Sequence, residues 1–192
     1  MVAFAADIVM ADNLQGTVEK RVKKTEFARP SRAAKAAQVS VDAGVFSVPF
    51  VLTPTADDFD KFEKLDANED GITLQLSGTA PDTYLSYSCS ETNPADDWVF
   101  IPVNITDLDM VYKISVDVRV RMSSYPENFE VGVGASATPS AMTILMDKDY
   151  VNNEEYQTYS CFFTADNTGV QYIDVHINSV ANQYKFISGI YL

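Results

Sequence analysis

Asp66-Ala67-Asn68-Glu69-Asp70-Gly71 places carboxylate or amide oxygens at alternating positions and ends on a glycine. It follows two further acidic pieces, Asp57-Asp58-Phe59-Asp60 and Phe62-Glu63-Lys64-Leu65. Short oxygen-bearing side chains in this pattern can wrap a hard cation. Ca²⁺ takes about six to eight oxygens, and glycine permits the sharp turn. An EF-hand closes its loop with a bidentate Glu, but the corresponding position here is Ser77, and no helical period flanks the loop. The stretch is therefore either a calcium loop completed from elsewhere in the fold or an acidic turn without metal.

Other chemistry has less to work with. His176 is the single histidine and lies in an alternating stretch with Tyr172 and Asp174, a setting typical of a surface or core residue. One histidine and no Cys-x-x-Cys pair all but exclude zinc chemistry. No Gly-x-Ser-x-Gly elbow, phosphate-binding loop or dinucleotide fingerprint is present. Glu127 and Glu130 are the one carboxylate pair with enzymatic interest, since glycoside hydrolysis uses two such groups. Sugar binding requires an exposed aromatic platform beside polar groups, and Tyr84, Tyr87, Tyr125, Tyr150 and Tyr156 are candidates. Each reads first as half-buried filler of a β-sandwich. Trp98 follows two aspartates and opens a buried run, so it reads as core.

The 192 residues suffice for one good-sized domain, with 46% hydrophobic and 11% aromatic residues to fill a core. A net charge of −13 argues against nucleic acid or anionic membranes as partners. The charge is unevenly spread. Residues 1–44 carry seven basic and five acidic side chains, and residues 45–192 carry seven and twenty-two. That shift marks a boundary, with residues 1–44 expected as an extension, or the remnant of a preceding module, outside the main domain. The basic run Lys20–Lys24 has no interleaved aromatics and reads as linker. Met1 to Met10 is apolar but lacks a basic leader, so the chain is expected to begin within a longer precursor. No apolar run is long enough for a membrane-spanning helix. Cys89 and Cys161 are too few for a disulfide framework and read as two small buried hydrophobes.

From Gly44 onward the texture is β. Val45–Leu52 is a strand candidate broken by Pro49, which places it at an edge. Ile72–Leu76 and Tyr84–Tyr87 alternate, and Trp98–Ile101 is a short buried run expected to stop at Pro102. Val111–Val120 alternates over ten residues with Ile114, Val116, Val118 and Val120 on one face. Phe129–Val133, Met142–Met146, Tyr156–Phe163, Val170–Ile177 and Tyr184–Leu192 follow. About ten short strands separated by turn residues predict an all-β antiparallel jelly-roll sandwich over residues 45–192.

Five motifs in order carry a resemblance. They are Phe62-x-x-Leu65-Asp66-Ala67-Asn68-x-Asp70-Gly71, Asp96-Asp97-Trp98-Val99-Phe100-x-Pro102, Tyr112-Lys113-Ile114-Ser115-Val116-Asp117, Tyr125-Pro126-Glu127-Asn128-Phe129-Glu130-Val131 with Gly134, and Thr138-Pro139-x-Ala141-Met142. Together they resemble the cleaved-adhesin or choice-of-anchor J modules, jelly rolls similar to gingipain adhesin repeats and MAM-type domains. The resemblance implies a secreted or cell-surface bacterial protein with neighbouring modules, structural calcium, and adhesion or carbohydrate binding without catalysis. It carries Asp66, Asn68 and Asp70 onto the family's acidic turn, and Asp96 and Asp97 onto its pair before the tryptophan. Leu74 stands where the family usually has Trp, and Ser188-Gly189 where the last strand usually has an Asp pair, which removes possible ligands.

The expected function is a non-catalytic adhesion or carbohydrate-binding module whose partners are glycans or extracellular proteins. Tyr84, Tyr87 and Tyr125 are its candidate ligand residues. Asp66, Asn68, Asp70, Asp96 and Asp97 are its candidate Ca²⁺ ligands, since three turn side chains do not fill a calcium shell. A spacer domain without a ligand and a glycan-active enzyme are the alternatives.

Overall fold

The computed structural model describes residues 7–10, 44–52, 54–80 and 82–181, with only the backbone described for 7–10, 50 and 51. Two sheets pack face to face as a jelly-roll β-sandwich. The first orders β11 (Gln157–Thr164), β8 (Val111–Val118), β1 (Asp7–Met10) and β3 (Phe50–Val51). The second orders β10 (Met142–Val151), β9 (Glu127–Gly134), β12 (Gly169–Ile177), β7 (Asp97–Ile105) and β2 (Phe46–Ser47), with β4 (Glu63–Asp66) also on β7. β5 (Gln75–Ser77) and β6 (Tyr84–Ser86) form a separate hairpin. Pairing is antiparallel throughout, except that β2 runs parallel to β7.

Alternation builds the core. Ile114, Val116, Val118 and Val120 are all fully buried, as their spacing predicts. They face Val99, Ile101, Val103 and Ile105 of β7, Phe129 and Val131 of β9, and Ile173, Val175 and Ile177 of β12 within one apolar cluster. Tyr112 stacks on Phe163 at 5.3 Å, and its hydroxyl donates to the Asp107 carbonyl at 2.6 Å, so this buried phenol keeps a partner.

Several expectations change. Trp98–Ile101 does not stop at Pro102, because β7 continues to Ile105. Pro102 falls between the last β4 pair, Glu63 with Phe100, and the first β2 pair, Phe46 with Val103. Its missing N–H therefore sits where one neighbour gives way to the next. The segment broken by Pro49 is indeed at an edge, in fact at two. Phe46–Ser47 ends one sheet and Phe50–Val51 ends the other, so the chain crosses between sheets at Val48-Pro49. Regular pairing in Ile72–Leu76 begins only at Gln75.

The placement of residues 1–44 outside the sandwich is corrected at four of them. Asp7–Met10 pairs with Ser115–Tyr112 on one side, and Asp7 and Ile8 pair with β3 on the other. Four residues are too few to shift a charge balance or display a period, so no local pattern marks them. Residues 11–43 and the expected strand Tyr184–Leu192 lie outside the described residues. Among the described residues no helix is long and apolar enough to cross a membrane.

Replacing a fully buried Ile114 with Ala removes apolar volume between two sheets that cannot collapse onto the gap. Ile114→Ala is expected to cost about 2–5 kcal/mol in urea unfolding. Val111→Ala, at an exposed position of the same strand, should stay within about 0.5 kcal/mol of the parent.

Candidate functional site

The acidic stretch divides into two devices. Its first part is a helix start. α1 (Ala56–Phe59) opens with a capping box, in which the Asp58 N–H donates to the Thr55 hydroxyl at 3.1 Å and the Asp58 carboxylate accepts the Thr55 N–H at 3.1 Å. Its second part is the turn after β4. Asp66 accepts the Asp70 N–H at 3.2 Å and the Gly71 N–H at 2.8 Å on its two oxygens, and Asp70 accepts the Ile72 N–H at 2.8 Å. Asn68 accepts from Asp70 N at 3.2 Å and donates to the Pro94 carbonyl. Gly71 has φ of +79°, the left-handed conformation its position in the motif calls for. The turn thus gathers Asp66, Asn68 and Asp70 and ties them to the segment entering β7, where the Ala67 N–H donates to the Asp96 carbonyl at 2.9 Å.

Asp97 joins this corner. It pairs with Asp66 across the β4–β7 ladder and is 0% exposed. Its Oδ2 accepts the Tyr87 hydroxyl at 2.7 Å, while its buried Oδ1 has no partner. Burial above all, with the Asp66 and Asp70 charges adding, pushes the Asp97 carboxyl up to about 7 against the lowering effect of the Tyr87 bond. Tyr87 itself is 2% exposed. It is an internal prop for Asp97, and its candidacy as a ligand platform is corrected. Among the described residues no three His, Cys, Asp or Glu side chains are drawn together closely enough to hold a metal ion.

Asp96, expected beside Asp97 at this corner, goes elsewhere. Neighbouring residues of an extended chain point to opposite faces. Asp96 Oδ1 instead meets the Trp98 Nε1–H at 2.9 Å and His176 Nε2 at 2.9 Å on the outer face of the six-stranded sheet. There His176 Nδ1 lies 2.8 Å from Glu130 Oε2, and the imidazole stacks on Trp98 at 3.7 Å between ring centres. Trp98 is buried as expected, but on this outer face and not between the sheets. Both His176 nitrogens are engaged with carboxylates, which leaves none to act as a base. Asp174, also fully buried, lies against Gly132, where an added Cβ would come within 2.4 Å of Asp174 Oδ1. Burial, then the Glu130 charge, push it up to about 7, against the lowering effect of the backbone N–H groups of Asp174 and Gly132. The sequence offered the alternation of Tyr172, Asp174 and His176, but not the β9 register that brings in Glu130.

Glu127 and Glu130 do not act as a pair. Three residues apart on β9, they take opposite faces, Glu127 buried and accepting from Cys89 Sγ at 3.0 Å, Glu130 on His176. Cys89 and Cys161 form no disulfide, and burial pushes the Cys161 thiol up to about 11.

The outer face of the four-stranded sheet presents a different surface. Cross-strand pairs place Phe162 beside Lys113, Ser160 beside Ser115, and Thr158 beside Asp117. Ser115 and Ser160 hydroxyls lie 2.9 Å apart, and the Thr158 hydroxyl donates to Asp117. Phe162 is 56% exposed. At the other end Tyr156, 44% exposed, lies under the Arg119 guanidinium at 5.0 Å. The Tyr156 phenol is pushed up to about 12 by burial, Arg119 opposing, with Tyr84 and Asp117 adding to the rise. Of the candidate ligand residues Tyr156 is placed at this face, whereas Tyr84 is half-buried on β6 of the separate hairpin, its ring against Gly78. Tyr125 is half-buried in a turn, its N–H donating to the Met122 carbonyl at 3.0 Å. Phe162 escaped notice, although adjacent Phe162 and Phe163 in one strand cannot both face inward.

No family model matches the chain, and no curated protein matches it. Among solved structures it is similar to two cleaved adhesin domains of Lys-gingipain from Porphyromonas gingivalis W83. For the K1 domain the identity is 12% over 62% of this chain and 88% of that one, with a TM-score of 0.45. For the K3 domain the identity is 10% over 67% and 91%, with a TM-score of 0.46. A CBM4 structure is similar at 13% identity over 67% and 86%, with a TM-score of 0.38.

Asp97 and Asp174 have folded-state values raised above the ordinary carboxylate value of about 3.9. Between about pH 4 and pH 7 the folded protein holds protons that the unfolded chain has released. The resulting stabilisation is complete below that window and is lost as pH rises through it. In metal-free buffer Asp97→Asn and Asp174→Asn should each flatten this fall, seen in urea unfolding at about pH 5 and pH 8. Variants that lose stability over that range as steeply as the parent contradict it.

Proposed function

We propose that this protein is a non-catalytic glycan-binding module of a secreted or cell-surface protein, with the outer face of the four-stranded sheet as its binding surface. The observation that carries this reading is the exposed Phe162 at one end of a row of hydroxyls, with Tyr156 under Arg119 at the other. A sugar ring offers one apolar face and a rim of hydroxyls. An exposed aromatic supports the face, and Ser160, Thr158 and Asp117 supply donors and acceptors for the rim. Phe162 to Tyr156 spans six residues of extended chain, roughly 20 Å, enough for several sugar rings in line. The dispersal of Glu127, Glu130 and His176 into separate or internal contacts supports binding without turnover.

The same reading includes a structural calcium ion at the acidic corner. Asp66, Asn68 and Asp70 are oxygen donors suited to a hard cation and Asp97 is a buried acceptor near them, and binding would have to draw these carboxylates closer than they stand. Bound there, calcium would neutralise carboxylates that otherwise repel one another, holding the turn against β7.

Two measurements follow. On a glycan array the parent should bind a subset of polysaccharides, and Phe162→Ala should weaken that binding about tenfold, roughly 1.4 kcal/mol, with unchanged thermal unfolding. Equal binding by parent and Phe162→Ala would remove this face from the account. For the metal, a hundredfold excess of calcium over its Kd should add about 2.7 kcal/mol of stability, abolished by Asp97→Ala. An unfolding temperature indifferent to both calcium and EDTA means the turn stands on its hydrogen bonds alone.

A further inference from the structure

We propose that the glycan taken by this face is acidic, with a carboxylate-bearing sugar seated between Lys113 and Phe162; the proposal rests on the glycan-binding reading above. The chain carries a net charge of −13, yet its few cations are not scattered evenly. Among the described residues there are six, Lys61, Lys64, Lys113, Arg119, Arg121 and Lys148. Lys61 and Lys64 are occupied near α1, by the Asp58 carboxylate at 3.4 Å and the Phe59 carbonyl at 2.8 Å. Lys148 lies over the Tyr159 ring at 5.7 Å.

Lys113 and Arg119 both fall on the outward parity of β8, the parity of Ser115 and Asp117. Each stands beside one aromatic of the face, Lys113 opposite Phe162 and Arg119 over Tyr156. Arg119 is committed to its tyrosine. The Lys113 ammonium forms no hydrogen bond or ion pair among the described residues. Two acidic residues share this stretch, Asp117, which accepts the Thr158 hydroxyl and keeps its charge, and Asp7, opposite Ser115 in the register of β1 with β8. Lys113 thus sets a cation without a counter-ion among the described residues beside the exposed ring of Phe162, four positions along β8 from Asp117, on a molecule that is strongly negative overall. An aromatic ring flanked by an ammonium matches a uronic acid, whose ring stacks while its carboxylate pairs with the cation. A neutral sugar would use Phe162 but leave Lys113 without a counterpart.

The test compares oligogalacturonate with its methyl ester, which keeps the sugar ring and removes the charge. The probes are titrated calorimetrically into the full chain, with a neutral oligosaccharide and a sulfated one alongside. The parent is expected to bind oligogalacturonate more tightly than the methyl ester. Lys113→Gln should weaken oligogalacturonate by about fivefold to tenfold, the scale of one partly exposed charged contact, and leave the methyl ester unchanged. Lys113→Arg should restore binding, and Phe162→Ala should weaken both probes alike. Equal affinity for acid and ester, or tighter binding of the sulfated or neutral probe, overturns the acidic preference while leaving the glycan face standing. If no probe binds, or if Phe162→Ala changes none, the glycan face itself fails and the acidic preference with it.

Discussion

Along β8 each side chain that enters the space between the sheets is followed by one that cannot. Ile114, Val116 and Val118 fill the interior, so Lys113, Ser115 and Asp117 take the opposite face of the strand, where Lys113 and Asp117 are partly exposed and Ser115 is covered by its neighbours. A slip of one residue would put a lysine and an aspartate into the core and these three aliphatics into water, which no local rearrangement could offset. That register is what aligns Phe162, Ser160 and Thr158 of β11 with Lys113, Ser115 and Asp117. The same strand thus holds the molecule together and lays out the face proposed for binding.

Much of this was legible in the sequence. Strict alternation made β8 and its inward face readable, and the oxygen-rich turn ending in Gly71 was readable from residue types alone. What stayed hidden was long-range pairing. Asp96 and Asp97 look like one pair of ligands, but the chain sends Asp97 to Tyr87 and Asp66 and Asp96 to His176. Glu127 and Glu130 separate for the same reason. That division was open to a parity count, whereas the partners at the far ends were not. His176 meets Asp96 across 80 positions and Glu130 across 46, separations that no local pattern encodes. The pairing of Asp7–Met10 into the sheet was hidden likewise, being too short to show a period.

The buried acids reveal where the fold tolerates cost. Asp97 and Asp174 each keep a carboxyl out of water, and neither has a cation paired to it among the described residues. Burying an unpaired carboxylate is expensive enough that the group takes up a proton or finds a cation. Asp174 has an acidic neighbour in Glu130 and, among the described residues, no ion pair, so burial and that charge hold its carboxyl up. Asp97 has a donor in Tyr87 and an oxygen-lined turn beside it, so both routes are open to it. The two acids therefore answer differently to metal, although burial raises them alike.

The central claim is that ligand meets the outer face of the four-stranded sheet. Amide chemical shifts of the isotope-labelled protein, followed through a titration with oligogalacturonate, test it most directly. The account predicts shifts concentrated at Lys113, Ser115, Asp117, Thr158, Ser160 and Phe162, with the Asp66–Gly71 turn and the His176 environment still. Shifts centred on the turn or on the outer face of the six-stranded sheet would contradict it.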